Sequence, residues 1–343
     1  MAPLSEPRFV LYKKRVLERY KLLKDLGLTI SYSIKTNYEV GAILEKETDC
    51  FFSVHNIKEL EKVENTKRAW FFILANPQKE LEAIFDMGVD KFVVDLEEDV
   101  DKLLGVAAKK RQKIKLLLRI RLKENTIFTG KYYVWGMESK TVNEFIPKLR
   151  KNKLISKLGI HAHRKTQNVS EWNLKEELEE FITPENLEKL DIINIGGGIP
   201  GKYKNTNDRA LPFVFKKIQE VRKWFKGELF AEPGRPIASY AVDLECSIIA
   251  IQADTVFVNI SIFNSAMDTV IYNLKLLVDG ELQEGKGKRY TIKGGSPCSE
   301  DILRYEVFLK NPKVGDNIRF LNAGAYTYAA DFCCLDKVQT III

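Results

Sequence analysis

A lysine that directly follows a short apolar run is the first residue of the chain whose position suggests chemistry. The run Tyr32-Ser33-Ile34-Lys35-Thr36-Asn37 is β-type up to the lysine. At the end of a buried strand an amine loses hydration, so that its pKa falls and it can attack a carbonyl group. Because a lone lysine is usually solvated, the case for Lys35 depends on the residues that accompany it.

Three further segments place reactive groups at the ends of apolar runs. The triplet Gly196-Gly197-Gly198 follows such a run, and glycine backbone can approach a phosphate closely. The segment Glu232-Pro233-Gly234-Arg235 supplies a carboxylate for a protonated ring nitrogen and a guanidinium for phosphate. His161 and His163 alternate in one run and should face the same side of a strand.

The combination of these groups is more specific than any one of them. Two histidines without an acidic or cysteine companion make a poor metal site, so that no metal is expected and a ring ligand stacked on an imidazole fits better. A nucleophilic lysine, a phosphate-binding turn, an arginine and a carboxylate for a ring nitrogen together indicate a pocket for pyridoxal 5'-phosphate.

Composition sets the class of protein in which this chemistry would occur. The chain has 343 residues, 45% hydrophobic and 29% charged, which is typical of globular domains. It has no apolar run near the roughly 20 residues that span a bilayer and no signal-peptide pattern, so a cytoplasmic protein is expected. The five cysteines form no CxxC pair and are expected to be reduced.

The net charge is +7, and lysine is concentrated in the stretches Lys109 to Lys115 and Lys148 to Lys157. Neither stretch has interleaved aromatic residues, which favours a solvated face over nucleic-acid binding. An acidic partner, such as a carrier protein, remains open.

Eight short β-type runs alternate with helical ones and would position the reactive residues. They are Leu28 to Ile34, Cys50 to Ser53, Trp70 to Leu74, Lys91 to Val94, Lys115 to Arg121, Lys157 to Ala162, Leu190 to Ile195 and Glu228 to Ala231. This alternation predicts an α/β fold with a (β/α)8 TIM barrel, whose active site forms where strands end and βα loops begin.

The last hundred residues are rich in β-type runs and poor in helical signals. Runs at Val242 to Ile251, Thr255 to Ile262, Tyr272 to Val278 and Asn317 to Leu321 predict an antiparallel β domain, completed by Arg8 to Tyr12. The sequence therefore predicts two domains, a cofactor-binding barrel over residues 22–232 and a β domain over residues 1–21 and 233–343.

From Tyr32 to about Tyr328 the motifs resemble those of the fold-type III pyridoxal-phosphate decarboxylases, the family of ornithine and diaminopimelate decarboxylases. Tyr32 to Asn37 resembles Tyr-Ala-Val-Lys-x-Asn, and Gly159 to Gln167 resembles Gly-Leu-His-x-His-Ile-Gly-Ser-Gln. The glycine triplet with Pro200-Gly201 is similar to the ornithine branch, and Glu-Pro-Gly-Arg is unchanged. The fold that this family shares is an alanine-racemase-like barrel.

The resemblance implies a role for each motif. Lys35 would form the Schiff base with the cofactor, His163 would stack on its ring and Glu232 would hold its pyridine nitrogen. The phosphate would be bound by a set of backbone and side-chain groups, namely Thr166, Gly197, Gly198, Gly234, Arg235 and Tyr326.

The resemblance also implies a homodimer with shared active sites. Ser296-Pro297-Cys298 resembles the motif whose cysteine enters the site of the other subunit, and Cys298 would return a proton to the carbon that loses carbon dioxide. The substrate would be an amino acid, and a basic one such as ornithine, lysine or a polyamine precursor is favoured.

The substrate-recognition positions depart from the family pattern. The stretch Cys298-Ser299-Glu300-Asp301 is one residue shorter than the family's, so that Glu300 would replace the acid that binds a distal ammonium group. Ile260 occupies the place of a second such acid, and an ammonium group without a partner is costly to bury. The substrate-binding candidates are therefore Ser299, Glu300, Asp301 and Ile260.

Two further functions remain open at this point. One is decarboxylation of a modified or carrier-tethered amino acid in a biosynthetic pathway. The other is a non-catalytic regulatory homologue, which would not need Lys35, Glu232, Arg235 and Cys298 together. A racemase would share the fold, but Pro297-Cys298 favours decarboxylation.

Overall fold

A computed structural model describes residues 4–122, 135–207, 209–327, 331 and 333–343. They form two compact units. The barrel unit comprises residues 20–200 and 209–234, and the β unit comprises the described residues of 1–19, 201–208 and 235–343. Tyr328, at which the resemblance ends, lies outside the described residues.

After β1 (Arg8–Leu11), eight parallel strands pair in chain order and close into a barrel, in which β2 also pairs with β9. They are β2 (Thr29–Ser33), β3 (Phe51–Val54), β4 (Ala69–Ile73), β5 (Lys91–Val94), β6 (Ile114–Arg119), β7 (Ile155–His161), β8 (Ile192–Asn194) and β9 (Glu228–Ala231). The predicted barrel is confirmed because each apolar run that indicated a strand is one.

Helices separate these strands and place every strand's C-terminal end at the same mouth of the barrel. The helices up to β9 are α1 (Lys13–Lys24), α2 (Tyr38–Glu47), α3 (Ile57–Leu60), α4 (Gln78–Asp86), α5 (Glu97–Lys110), α6 (Ser139–Arg150), α7 (Leu174–Phe181), α8 (Pro184–Leu187) and α9 (Ala210–Trp224). None of the helices in the described residues is both long and apolar enough to cross a bilayer.

A cluster of buried side chains packs between the strands of the barrel. Its members are Trp70, Phe72, Val93, Leu117, Ile192 and Phe230. The rings of Trp70 and Phe230 meet edge to face, with centroids 5.7 Å apart. Since residues two apart on a strand share a face, the neighbours of these residues at positions i±2 also face this interior.

The β unit contains one sheet that is mostly antiparallel, as predicted. Its further strands are β10 (Val242–Gln252), β11 (Thr255–Val258), β12 (Leu277–Val278), β13 (Lys288–Lys293), β14 (Ile302–Leu309), β15 (Asn317–Leu321) and β16 (Gln339–Ile342). Its helices are α10 (Arg235–Ala241), α11 (Ile262–Ser265) and α12 (Met267–Ile271). β1 pairs antiparallel with β10 and parallel with β16, and β11 pairs parallel with β13.

Two of the expected strands in this unit are shorter than the sequence indicated. The run Tyr272 to Val278 is a strand only at Leu277–Val278, because α12 occupies the residues before Tyr272. The run Thr255 to Ile262 stops at Val258, after which Ser261 caps α11.

Close packing of β6, β7 and β8 makes Gly159 irreplaceable by any larger residue. A Cβ at this position would lie 2.3 Å from the carbonyl oxygen of Ile192 and 2.6 Å from Leu117 Cδ2. We expect Gly159→Ala to lower the free energy of unfolding by about 1–3 kcal/mol through overpacking, measured by urea denaturation.

Gly105→Ala is the matched control. Gly105 lies inside α5, where an added methyl group would meet no neighbouring side chain within 4 Å. Alanine should therefore raise the free energy of unfolding by about 0.5–1 kcal/mol. Equal effects at the two glycines would contradict the packing described for β7.

Candidate functional site

Lys35 lies just beyond the C-terminal end of β2, in a single 3₁₀ turn over Ile34–Thr36. Asn37 ends this turn, and its side-chain oxygen accepts hydrogen bonds from two N–H groups in the first turn of α2. Lys35 is half-buried, and its amine makes no hydrogen bond or ion pair with the residues that the structure describes. Burial lowers the pKa of this amine, against the opposing charges of Glu59 and Glu232.

Glu232 follows β9 as a buried carboxylate whose two oxygens are both hydrogen-bonded. His161 Nε2 donates to Oε2 over 3.1 Å, and Asn194 Nδ2 donates to Oε1 over 2.9 Å. Burial by itself would raise the pKa of Glu232, but the charge and hydrogen bond of His161 outweigh it and lower the pKa to about 2. Glu232 is therefore a buried anion at neutral pH.

The glycine triplet forms a turn that is joined to this carboxylate. Asn194 Oδ1 accepts the N–H of Gly196 over 2.9 Å, and the carbonyl oxygen of Gly196 accepts the N–H of Glu232 over 2.7 Å. Gly198 has φ +91°, and a Cβ there would lie 2.5 Å from the carbonyl oxygen of Lys165. Glycine is thus required by both the conformation and the space.

His163 lies against this turn as a neutral imidazole. Its Nδ1 accepts the N–H of Gly197 over 3.2 Å. Burial, and after it the charges of Arg119 and His161, lowers the pKa of His163 to about 3. The proton of the neutral ring is then on Nε2. His161, two residues earlier, donates its hydrogen bond to Glu232.

Only glycine fits at position 234, because the segment that carries Lys35 packs closely against it. A Cβ on Gly234 would lie 2.0 Å from Thr36 Oγ1, a buried hydroxyl that has no hydrogen-bond partner among the described residues. The N–H of Ser33 donates to the carbonyl oxygen of Pro233 over 3.4 Å. The end of β2 and the turn after β9 are therefore in direct contact, which brings Lys35 near Glu232.

Two side-chain pairs in the barrel unit were not anticipated from the sequence. His55 Nδ1 lies 3.0 Å from Glu59 Oε2, with the imidazole stacked on Phe72 at 4.8 Å. Arg119 Nη1 lies 2.9 Å from Asp95 Oδ2. The i,i+4 spacing of His55 and Glu59 was a usable signal, whereas Asp95 and Arg119 are brought together by the pairing of β5 with β6.

In the β unit, Arg235 is held by Asp268 and Tyr203. Its Nη1 and Nη2 both bond the Asp268 carboxylate, with 2.9 Å from Nη2 to Oδ1, and Nη1 donates to the Tyr203 hydroxyl over 2.8 Å. The ring of Tyr326 lies 5.1 Å from the guanidinium carbon, within the range of a cation–π contact. Arg235 and Tyr326, two predicted phosphate ligands, are thus brought together.

Cys298 lies on an accessible loop before β14. Its Sγ donates to Glu300 Oε2 over 2.9 Å, and this hydrogen bond raises the pKa of the thiol. Ser299 and Glu300 are exposed. The loop borders a shallow depression that is also lined by Ile249, Phe257 and Lys293.

Asp301 and Ile260 are buried behind this loop. Asp301 has no exposed surface, and its carboxylate accepts the N–H of Ile262 over 2.7 Å and that of Ser296 over 3.0 Å. Ile260 is 3% exposed, and its carbonyl oxygen accepts the N–H of Gly295. Both residues organise the loop within this unit, and its exposed acid is Glu300.

The remaining predicted ligand, Thr166, is half-buried in the segment between β7 and α7. The barrel unit thus gathers Lys35, His163, the glycine turn, Glu232 and Gly234 at the C-terminal ends of β2, β7, β8 and β9. No group of three or more His, Cys, Asp or Glu residues in the described parts of the chain is arranged to hold a metal ion.

Comparison with known proteins identifies a family. Residues 14–239 match the sequence model of the pyridoxal-dependent decarboxylases, pyridoxal binding domain. The diaminopimelate decarboxylase of Aquifex aeolicus (strain VF5) is 24% identical over 271 residues, which cover 74% of this chain and 64% of that protein. The aligned part thus spans slightly less than two thirds of the curated relative.

Solved structures show the same fold over almost the whole chain. A lysine decarboxylase from Selenomonas ruminantium is 20% identical with a TM-score of 0.81, covering 98% of this chain and 92% of that one. A lysine/ornithine decarboxylase from Vibrio vulnificus, complexed with cadaverine, is 19% identical with a TM-score of 0.80, covering 98% and 94%. These comparisons confirm the resemblance read from the motifs.

The burial of the Glu232 anion gives a pH dependence of stability. Its pKa falls from 4.5 to about 2 on folding, so that the carboxylate stabilises the folded state above pH 4.5 and this contribution is lost as the pH falls towards 2. We expect Glu232→Gln to destabilise the cofactor-free protein by on the order of 3 kcal/mol at pH 7, and by progressively less below pH 4.5.

The measurement is the free energy of unfolding in urea at several pH values between 7 and 3. Glu64→Gln, at an exposed glutamate of the same unit, is the control and should change stability little at any pH. A difference between wild type and Glu232→Gln that grew on acidification would contradict the ionised state of Glu232.

Proposed function

The chain belongs to the pyridoxal-dependent decarboxylase family, and from this premise we propose that it removes carbon dioxide from a basic amino acid with the help of pyridoxal 5'-phosphate. The single observation that carries the proposal is the pairing of a Lys35 amine that lacks a polar partner among the described residues with the buried anion of Glu232. Both lie at the mouth of the barrel, where enzymes of this architecture bind their substrates.

The residues present fit the cofactor. A Cβ on Gly197 would lie 2.9 Å from the carbonyl oxygen of Glu232 and 3.6 Å from His163 Cε1, so the backbone of the turn packs closely against both residues and a side chain there would disturb this packing. Lys35 has an amine of lowered pKa for the cofactor's aldehyde. Glu232 has the negative charge that a protonated pyridine nitrogen requires.

Each group then has a defined task. Lys35 would attach the cofactor and later displace the amine product, Glu232 would keep a proton on the ring nitrogen, and the neutral His163 would pack on the ring. Backbone N–H groups of the glycine turn, with Thr166, Gly234, Arg235 and Tyr326, would bind the phosphate. The bound cofactor supplies an electron sink for the pair released when the carboxylate leaves.

Cys298 is our candidate for the proton donor. Its pKa is raised by the hydrogen bond to Glu300, which keeps the thiol protonated at neutral pH and able to deliver a proton. The same Glu300 is the exposed acid of the loop. We propose that it binds the distal ammonium group of the substrate, because Ile260 cannot and Asp301 is occupied by backbone N–H groups.

Several relatives support a substrate with a second amine. The similar proteins include a diaminopimelate decarboxylase and a lysine/ornithine decarboxylase complexed with cadaverine. Diaminopimelate, lysine and ornithine each carry an amine remote from the reacting carbon. We therefore propose an amino acid of this class, and a homodimer in which Cys298 serves the site of the partner subunit.

Activity should depend on Lys35. We expect carbon dioxide release from one or more of ornithine, lysine and meso-diaminopimelate with added cofactor, and a loss of at least about a thousandfold in Lys35→Ala, since the attachment point and the returning amine are both removed. Borohydride reduction of the wild type should leave the cofactor on Lys35, identified by peptide mass spectrometry.

Lys46→Ala, at an exposed lysine of α2, is the control and should keep full activity and labelling. Labelling on another residue would refute the role of Lys35. Silence across the panel with cofactor bound would favour a modified or carrier-tethered amino acid, and failure to bind cofactor would favour the regulatory homologue.

The shared-site proposal can be tested by mixing two inactive variants. If Cys298 serves the partner's site, Lys35→Ala and Cys298→Ala subunits exchanged in equal amounts should form heterodimers with one intact site, restoring about a quarter of wild-type activity. Activity is assayed after subunit exchange, and dimer formation is followed by sedimentation velocity.

Exchange is checked by co-purification of an untagged subunit with a tagged one, because either variant mixed equally with wild type gives half of the activity whether or not subunits exchange. No recovery in the mixed variants, with exchange demonstrated, would show that Lys35 and Cys298 act within one subunit. A wild-type monomer with full activity would remove the dimer from the proposal.

A further inference from the structure

The two lysine-rich stretches of the sequence meet at one end of the barrel. Lys109 to Lys115 leads into β6, and Lys148 to Lys157 leads into β7. Since β6 and β7 are adjacent and parallel, their first residues lie side by side at the N-terminal mouth, opposite the mouth that carries Lys35. The proposed function leaves this cluster unexplained.

Three lysines lie side by side on adjacent strands, at the same height along the barrel axis. The strand register places Lys91 of β5 beside Lys115 of β6, and Lys115 beside Lys157 of β7. Lys91 lies two residues before Val93, and Lys115 lies two residues before Leu117, and both of these apolar residues belong to the buried cluster inside the barrel. Because positions i and i+2 share a face, these lysines extend into the barrel.

Contacts across the barrel agree with this placement. Lys157 forms an ion pair with Glu228 of β9, although β8 lies between the two strands. Lys91 is 4% exposed, with its amine 5.9 Å from the centre of the Phe51 ring. Lys157 can contact Glu228 past β8 only from the inner face of the barrel wall, and the contact of Lys91 with Phe51 agrees with the same placement.

The charges of this level do not balance. Lys91 is paired with Asp90 and Lys157 with Glu228, whereas the Lys115 amine has no hydrogen bond or ion pair with any described residue. Lys115 is half-buried between two other lysines. Burial and then the charge of Lys91 lower the pKa of Lys115, against the opposing charges of Asp90 and Glu228.

Some of the cations around this mouth stabilise helix C-termini, and others do not. Lys109, Lys110 and Arg150 pair with Glu82, Asp86 and Asp191 at helix C-termini, where cations are favourable. Lys113 and Lys153 lie beyond those helix ends, exposed, and neither is in an ion pair with a described residue. With Lys115, these lysines are among the cations around this mouth that form no ion pair with a described residue.

We propose that this mouth is a binding site for a small phosphate-type polyanion, formed by Lys113, Lys115 and Lys153. Three amines on neighbouring strand ends can each contact a different oxygen of such a ligand, and a half-buried amine such as Lys115 forms stronger charge-assisted hydrogen bonds than a solvated one. A compact anion can reach Lys115 because this residue is only half-buried.

The probe for this site is inorganic triphosphate, titrated into the full-length protein with pyridoxal phosphate bound, so that the cofactor's own phosphate site is filled. Binding is measured by isothermal titration calorimetry at ionic strength held constant with sodium chloride, since surface charge effects are screened by salt. We expect saturable binding at one site per chain and an upward shift of the melting temperature.

Lys115→Gln should weaken triphosphate binding by about tenfold or more, the size expected for one charged hydrogen bond. The double variant Lys113→Gln/Lys153→Gln, at exposed positions that do not affect folding, should weaken it similarly. Lys140→Gln is the control, because Lys140 is exposed at the other end of α6. Non-saturable binding, or equal affinity in all variants, would overturn the proposal.

Discussion

The burial of one ionised carboxylate determines much of the barrel site. An isolated charge of this kind is strongly unfavourable away from water, so every donor around it must be supplied by the protein. Glu232 obtains them from His161 on β7 and Asn194 on β8. Asn194 also holds the N–H of Gly196, so that the carboxylate and the glycine turn form one hydrogen-bonded network across three neighbouring strands.

This network explains why two histidines separated by a single residue have different properties. His161 donates to the Glu232 carboxylate, whereas His163 accepts a backbone N–H and is neutral. A charged imidazole over a cationic cofactor ring would be repelled, whereas a neutral one can stack on it. Burial and the surrounding charges, and not the residue type, thus distinguish the two imidazoles.

The sequence predicted those features that are encoded locally. Each barrel strand coincides with a short β-type run, and Lys35, Glu232 and the glycine turn directly follow such runs. By contrast, β13 (Lys288–Lys293) and β14 (Ile302–Leu309) mix charged with apolar residues and gave no clear signal. The partnership of Arg235 with Asp268 joins residues far apart in sequence, so only the folded chain could reveal it.

The loop after Cys298 has a buried carboxylate at its base and an exposed one beside its cysteine. Asp301 anchors the loop by accepting backbone N–H groups from Ser296 and Ile262, and a carboxylate so used has little remaining capacity for an ammonium group. Ile260 contributes only apolar surface. Glu300 is exposed and solvated, so its attraction for an amine is weak until the surrounding water is excluded. The proposed role of Glu300 in binding an amine therefore requires that water be excluded from this loop, and the proposed dimer is one way to exclude it.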